Sequence, residues 1–261
     1  MKKSLFIFLV LLTPVILSSN DVLLQKTQFL VSSSHDKWKK MFNEDTPSIH
    51  SLYSEHAVVI VEDTIYVGTE EIKDLYKILK SKWNIIDSMY SNYEKIDFIS
   101  PFVKYEIGSF ITSNGDYYNH LTIWDTQNGS EKRELEIIYK QSEISDSKDI
   151  VKKQRENWVH EANKHDVEAF LRAVYSDNSL YYWNSINKLY SGISEIKEAY
   201  SYMADTNWSI TSLQPLYIKQ VNDSLIYEIG KYLSGDYVGC YALVWKKNKN
   251  NEWNIYLDSN Y

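Results

Sequence analysis

The chain has 261 residues, 44% of them apolar and 24% charged, with a formal net charge of −7 and a pI near 5.4. Such a length suits one large domain or two of ordinary size, and the apolar content excludes a disordered chain. The acidic balance argues against nucleic-acid or anionic-membrane binding, because either needs a basic surface to neutralise phosphates.

Met1-Lys2-Lys3 gives a positive start, and Ser4 to Leu17 is almost wholly apolar, broken by Thr13 and Pro14 before the polar Ser18-Ser19-Asn20-Asp21. This is the layout of a secretory signal peptide over residues 1–19, with an apolar core shorter than the ~20 residues that span a bilayer. The expectation is an exported protein, periplasmic or extracellular, with no membrane span once the signal is removed. Cys240 is the single cysteine, so an intramolecular disulfide and a thiolate metal cluster are both excluded.

The rest of the chain reads as one unit written twice. Trp38 answers to Trp158, Tyr53-Ser54-Glu55 to Tyr175-Ser176-Asp177, and Tyr66-Val67-Gly68 to Tyr190-Ser191-Gly192. Further on, Glu71-Ile72-Lys73 recurs as Glu195-Ile196-Lys197, Tyr105-Glu106-Ile107-Gly108 as Tyr227-Glu228-Ile229-Gly230, and Trp124 as Trp245. The offsets run from 120 to 124 and keep their order, and a unit of this size is a domain rather than a solenoid repeat. Two domains are expected, over 26–141 and 148–261, joined by a polar stretch between Gln141 and Lys153.

In the second copy, Trp158, Ala162, Val167, Phe170, Leu171 and Val174 fall at helical spacing, with Asp166 placed to cap a restarted helix. A short helix follows Gly192, with Glu195 in its first turn. From Trp208 the pattern turns to strands: Leu225, Tyr227 and Ile229 alternate with Ile226, Glu228, Gly230 and Tyr232. Ser234-Gly235-Asp236 then turns into Tyr237–Trp245, and Trp253–Asp258 closes the copy. The fold class is α+β, helices laid on one face of a strongly curved antiparallel sheet, twice.

The second copy resembles the nuclear-transport-factor-2-like superfamily in its polyketide-cyclase and ketosteroid-isomerase-like branch of bacterial proteins. The resemblance rests on Trp158, His165-Asp166, Tyr175-Ser176-Asp177, Gly192 with Ile196, and Tyr227-Glu228-Ile229-Gly230. It continues through Gly239-Cys240-Tyr241, Val244-Trp245-Lys246-Lys247, Trp253-Asn254-Ile255 and Asp258. The first copy fits more loosely, with Lys140 aligned to the terminal Asp and His120 and Leu135 in place of the second copy's Gly-x-Tyr and Trp. The resemblance implies two cone-shaped domains, each with a pocket between helices and sheet, in a family that mixes isomerases, dehydratases and cyclases with members lacking known chemistry.

An isomerase of that fold needs a phenol, a carboxylate base and a protonated acid. Here the three positions fall on Trp158 (Trp38 in the first copy), near Trp183 (Val61) and near Ala242 (Leu121), none of which does that work. The six histidines form no recognised ligand motif, and no phosphate loop is present, so no metal and no cofactor is expected. Two function classes fit what remains. One is a non-catalytic module binding a small apolar or aromatic ligand, or a partner; the other is a lyase or isomerase with relocated carboxylates.

The candidate lining of the second-copy pocket is Trp158, Trp183, Glu228, Tyr232, Tyr256 and Asp258, with Glu228 or Asp258 as polar anchor. The first copy is expected mainly to support that pocket. A tandem copy also supplies its own partner, so an intramolecular pseudo-dimer that is monomeric in solution is expected.

Overall fold

A computed structural model describes residues 34–46, 48–127, 130–144 and 148–261; the N-terminal apolar run lies outside the described residues. The first copy opens with a helix over 34–43 (α1), then β1 (Tyr53–Val61), β2 (Thr64–Val67) and α2 (Gly68–Trp83). Strands β3 (Ile86–Ile96), β4 (Val103–Thr112), β5 (Tyr117–Asp125) and β6 (Lys132–Lys140) complete it. The second copy repeats the order: α3 (Lys148–Ala162), α4 (Val167–Val174), β7 (Tyr175–Trp183), β8 (Lys188–Ser191) and α5 (Gly192–Ala199). Then follow β9 (Ser212–Asn222), β10 (Leu225–Ser234), β11 (Tyr237–Lys247) and β12 (Trp253–Asn260).

Each copy is thus α+β with a six-stranded sheet, ordered β2-β1-β6-β5-β4-β3 and β8-β7-β12-β11-β10-β9. Two details differ from the sequence reading. A pair of strands intervenes between the helices of each copy, where the sequence reading places helices alone. The last strand of each copy also lies parallel to the first, so each sheet is antiparallel at every pairing but one.

Local chemistry sets the boundaries. Asp166 caps α4, its Oδ1 accepting the Ala169 amide at 3.1 Å. The turns into α2 and α5 need positive φ, and glycine supplies it at Gly68 (φ 80°) and Gly192 (φ 78°). Glu71 and Glu195 then reach back to accept the backbone N–H of Val67 at 2.7 Å and of Ser191 at 2.8 Å.

Each sheet has two faces with separate duties. The inner face of the first sheet packs on α1 and α2 through Trp38, Phe42, Ile72, Leu79 and Trp83, and that of the second on α3 to α5 through Trp158, Phe170, Ile196 and Tyr200. The outer faces pack on each other. Tyr105, Ile107, Leu121 and Ile137 of one sheet share a single core with Tyr227, Ile229, Ala242 and Val244 of the other. Polar contacts cross the seam: Asn184 Nδ2 donates to Tyr105 Oη at 2.8 Å, and the Cys240 amide donates to Asp97 Oδ2 at 3.1 Å. Tyr93 stacks on Tyr217 with centroids 5.0 Å apart. Among the described residues no helix is long and apolar enough to cross a membrane.

The final strands carry a bulge. Val244 pairs with Leu257 and Trp245 with Ile255, so Tyr256 is left over between them. One extra residue reverses the side to which everything beyond it points. Trp253 and Ile255 face the helices, Tyr256 and Leu257 face the seam, and Asp258 returns to the inner face. Tyr256 therefore sits in the seam with Lys246 Nζ 4.8 Å from its ring centre, and the expectation that it lines a pocket is corrected. The pairings also correct the match of Lys140 to Asp258. Glu136 lies opposite Val59 as Asp258 lies opposite Tyr181, so Glu136 is the first-copy counterpart.

Candidate functional site

A cavity of about 310 Å³ opens inside the second domain, on the helix-covered face of its sheet. Its lining is dominated by aromatic rings: three tryptophans (Trp158, Trp183 and Trp208) and seven tyrosines. Trp158 comes from α3, Tyr181 and Trp183 from β7, Tyr200 from the end of α5, and Tyr232 and Tyr241 from β10 and β11. Asp258, Asn260 and Ser234 are the non-aromatic polar residues among the lining. The first domain contributes one residue, Ile99, from the turn between β3 and β4.

Strand alternation builds this wall. Ile226, Glu228, Gly230 and Tyr232 share the inner face of β10, while Leu225, Tyr227 and Ile229 enter the seam. Gly230 pairs with Tyr241, and a Cβ at Gly230 would overlap the Tyr241 ring. Gly239 likewise makes room for the ring of Tyr232. The two glycines let both phenols lie flat against the sheet rather than stand away from it.

Asp258 is the acid of the cavity. It is buried, and Oδ2 accepts the hydroxyls of Tyr175 and Tyr200, each at 2.6 Å. Trp158 Nε1 donates to Tyr175 Oη at 3.4 Å, so indole, phenols and carboxylate form one chain. Burial raises the Asp258 carboxyl to about 6, with the two phenols and the Ser259 amide partly offsetting it.

Glu228 does not line the cavity, which corrects its place among the candidates. It lies on the inner face beneath Tyr241, fully buried, and is saturated by protein partners. Arg155 Nη1 donates to it at 2.7 Å, Tyr241 Oη at 2.7 Å and Trp245 Nε1 at 2.9 Å. Burial raises its carboxyl above the usual range despite the Arg155 charge. Of the six candidates, the fold brings Trp158, Trp183, Tyr232 and Asp258 to the cavity and places Glu228 and Tyr256 elsewhere.

Sequence reasoning did not select Tyr175, Tyr200, Tyr181 or Tyr241. The signal for two of them was present: Tyr175 repeats Tyr53, and Tyr200 repeats Tyr76 four residues beyond the Ile72/Ile196 match.

The equivalent space in the first domain is filled. Trp124 Nε1 donates to Glu106 at 2.7 Å as Trp245 does to Glu228, and His35 Nε2 takes the Arg155 place, 3.0 Å from Glu106 Oε1. Burial acts to raise the Glu106 carboxyl, but the charges of His35, His120 and Lys104 hold it well below the usual range. The fold gathers His35, Glu106 and His120 with donor atoms within 4.8 Å of one another, a clustering that their spacing in the chain does not reveal. Those three could supply metal ligands. The buried cations Lys104 and Arg133 beside them instead favour an internal ion-pair cluster, since they repel a divalent ion.

No protein-family model and no curated protein matches the chain. Solved structures do. A hexachlorocyclohexane dehydrochlorinase (LinA type 3) from Novosphingobium barchaimii LL02 is 14% identical over 47% of this chain and 91% of its own, with a TM-score of 0.39. A DUF4783 family protein from Bacteroides fragilis YCH46 is 12% identical over 40% of this chain and 94% of its own, with a TM-score of 0.33. An NTF-2 like protein of unknown function from Shewanella oneidensis MR-1 is 17% identical over 43% and 96%, with a TM-score of 0.35.

Proposed function

We propose that this chain is an exported module that binds a small ligand with an apolar or aromatic body in the cavity of its second domain, without catalysis. The observation that carries the reading is the cavity itself, about 310 Å³ and walled by ten aromatic side chains around one carboxylate. Rings of this kind stack on a flat or apolar body, while Asp258 and Asn260 fix its orientation. Asp258 is the acid of the lining, and among the described residues no histidine, lysine or second carboxylate lines the cavity with it. Aromatic fragments screened by saturation-transfer NMR should bind, with shift changes at Trp158, Trp183 and Tyr232. Changes confined to residues 26–141 contradict the reading.

A second reading, a lyase or isomerase, is favoured by one observation: the Asp258 carboxyl, raised to about 6, suits proton abstraction near neutrality. Turnover of a carbon acid that disappears in Asp258→Asn would select it.

The shared outer faces support a monomer in which the two domains serve as each other's partner. Light scattering should give the mass of one chain, and twice that mass contradicts it. The apolar N-terminal run supports export, tested by fractionation of the expressing cell.

A further inference from the structure

Four carboxylates occupy equivalent places inside the two domains, and three of them have a basic side chain beside them. Glu106 has His35 at 3.0 Å, Glu136 has the Arg133 Nε at 3.5 Å, and Glu228 has Arg155 at 2.7 Å. The fourth, Asp258, has two phenols and a backbone amide, all uncharged. Among the described residues no Lys, Arg or His lies within ion-pair distance of it, and none lines the cavity. A buried carboxylate without a counter-charge is costly, and this one borders open space.

The first domain displays what such a space holds. Arg133 pairs across the sheet with Trp124, as Ile255 pairs with Trp245, so Arg133 and Ile255 are equivalent positions. The Arg133 guanidinium is fully buried, its Cζ 5.2 Å from the Trp38 ring, 5.6 Å from Tyr53 and 4.7 Å from Trp124. Its nitrogens make no hydrogen bond, so ring faces and the nearby Glu136 hold it. Trp38, Tyr53, Tyr76 and Glu136 correspond to Trp158, Tyr175, Tyr200 and Asp258. In the second domain Ile255 stands packed at the Arg133 position, and the open cavity lies beside it, bordered by Trp158, Tyr200 and Asp258 of the same frame.

We infer that the second-domain cavity takes an organic cation, an ammonium or guanidinium group carrying an apolar or aromatic body. The inference rests on the ligand-binding reading above and adds the charge of the ligand. The cationic head lies between Trp158 and Asp258, as the Arg133 group lies between Trp38 and Glu136, and the body stacks along Tyr181, Tyr202 and Tyr232. The cavity is far larger than a guanidinium alone, which leaves room for that body.

Calorimetric titration of the full chain at pH 7.5 with benzyltrimethylammonium, its neutral isostere neopentylbenzene and the anion phenylacetate tests this. The cation should bind on the order of tenfold tighter than the isostere, with phenylacetate weakest, and Asp258→Asn should remove the preference. Equal or tighter binding of the neutral or anionic probe overturns the cation assignment and leaves the ligand-binding reading standing. Absence of binding by all three overturns both. The probe comparison uses the unaltered chain, so it holds even if Asp258→Asn fails to fold.

Discussion

In the first domain Trp38, Tyr53, Tyr76 and Glu136 lie around a guanidinium that the chain itself supplies; in the second, Trp158, Tyr200 and Asp258 border open space, with Tyr175 packed behind them. The hydrogen-bonded frame is the same in both. Tyr53 donates to Glu136 as Tyr175 donates to Asp258, and Trp38 Nε1 reaches Tyr53 at 3.3 Å as Trp158 Nε1 reaches Tyr175 at 3.4 Å. A buried polar frame of this kind is hard to change piecemeal, because removing one member orphans the others. What changes instead is the filling. His120 replaces Tyr241 against the glycine and Arg133 replaces Ile255, so the first interior closes into an ion cluster while the second stays open.

The sharpest way to break this comparison is to remove the filling. Arg133→Met leaves Glu136 buried without its cation and should cost about 3–5 kcal/mol in urea unfolding. A loss below about 1 kcal/mol would show that the guanidinium is not the counter-charge.

The two equivalent acids should then respond to pH with opposite sign. Burial raises the folded Asp258 carboxyl from 3.8 to about 6. Its contribution to stability is therefore fully present below the unfolded value and is lost as pH rises through about 6. Measured against Asp258→Asn, the unaltered chain should lose on the order of 2–3 kcal/mol between pH 4 and pH 7.5. Burial also acts to raise Glu136, but Arg133 and His120 outweigh it and hold the carboxyl below its ordinary value. That contribution is present above the unfolded value and is lost as pH falls through the depressed one, so Glu136→Gln should give the reverse slope. Slopes of the same sign would undo the distinction between a filled and an unfilled site.

A smaller effect separates the glycines. Gly230→Ala drives a Cβ into the Tyr241 ring and Gly108→Ala drives one into His120. Each should cost about 1–3 kcal/mol by thermal unfolding. The second-domain change should also weaken aromatic-fragment binding, because Tyr241 lines the cavity. The smallest effect belongs to the seam. Lys246 and Asp63 pair across it near solvent, and Asp63→Ala should cost under about 1 kcal/mol in a denaturant titration.

Duplication, α+β class and the inward face of β10 were legible in the sequence, because ordered repeats and a period of two survive without tertiary information. Asp166 was legible as a cap for the same reason: its role is local. The strand β7 was less so. Its residues follow a helix directly, its neighbouring antiparallel partner β8 is four residues long, and its other partner, β12, lies some eighty positions on. Glu228 and Asp258 were both visible as buried-strand acids, but which one meets open space depends on Arg155 closing over the first. The gathering of His35 with Glu106 and His120 belongs to the same class, a contact between α1 and two strands distant in the chain.

Tyr256 was misplaced because alternation was carried through a bulge, and the bulge has a consequence beyond that residue. β12 serves two clients in succession: its first half seals the helix-covered interior, its middle faces the other domain, and Asp258 turns back to the cavity. The extra residue acts as a phase shift in a wave of period two. Straightening the bulge with every residue retained would cancel the shift, sending the carboxylate into an apolar seam and an aliphatic side chain into the ring of phenols. Deleting Tyr256 would instead keep Leu257 opposite Val244 and Asp258 opposite Leu243. Domain pairing and cavity chemistry are thereby written on one strand, in one reading frame, and cannot drift independently.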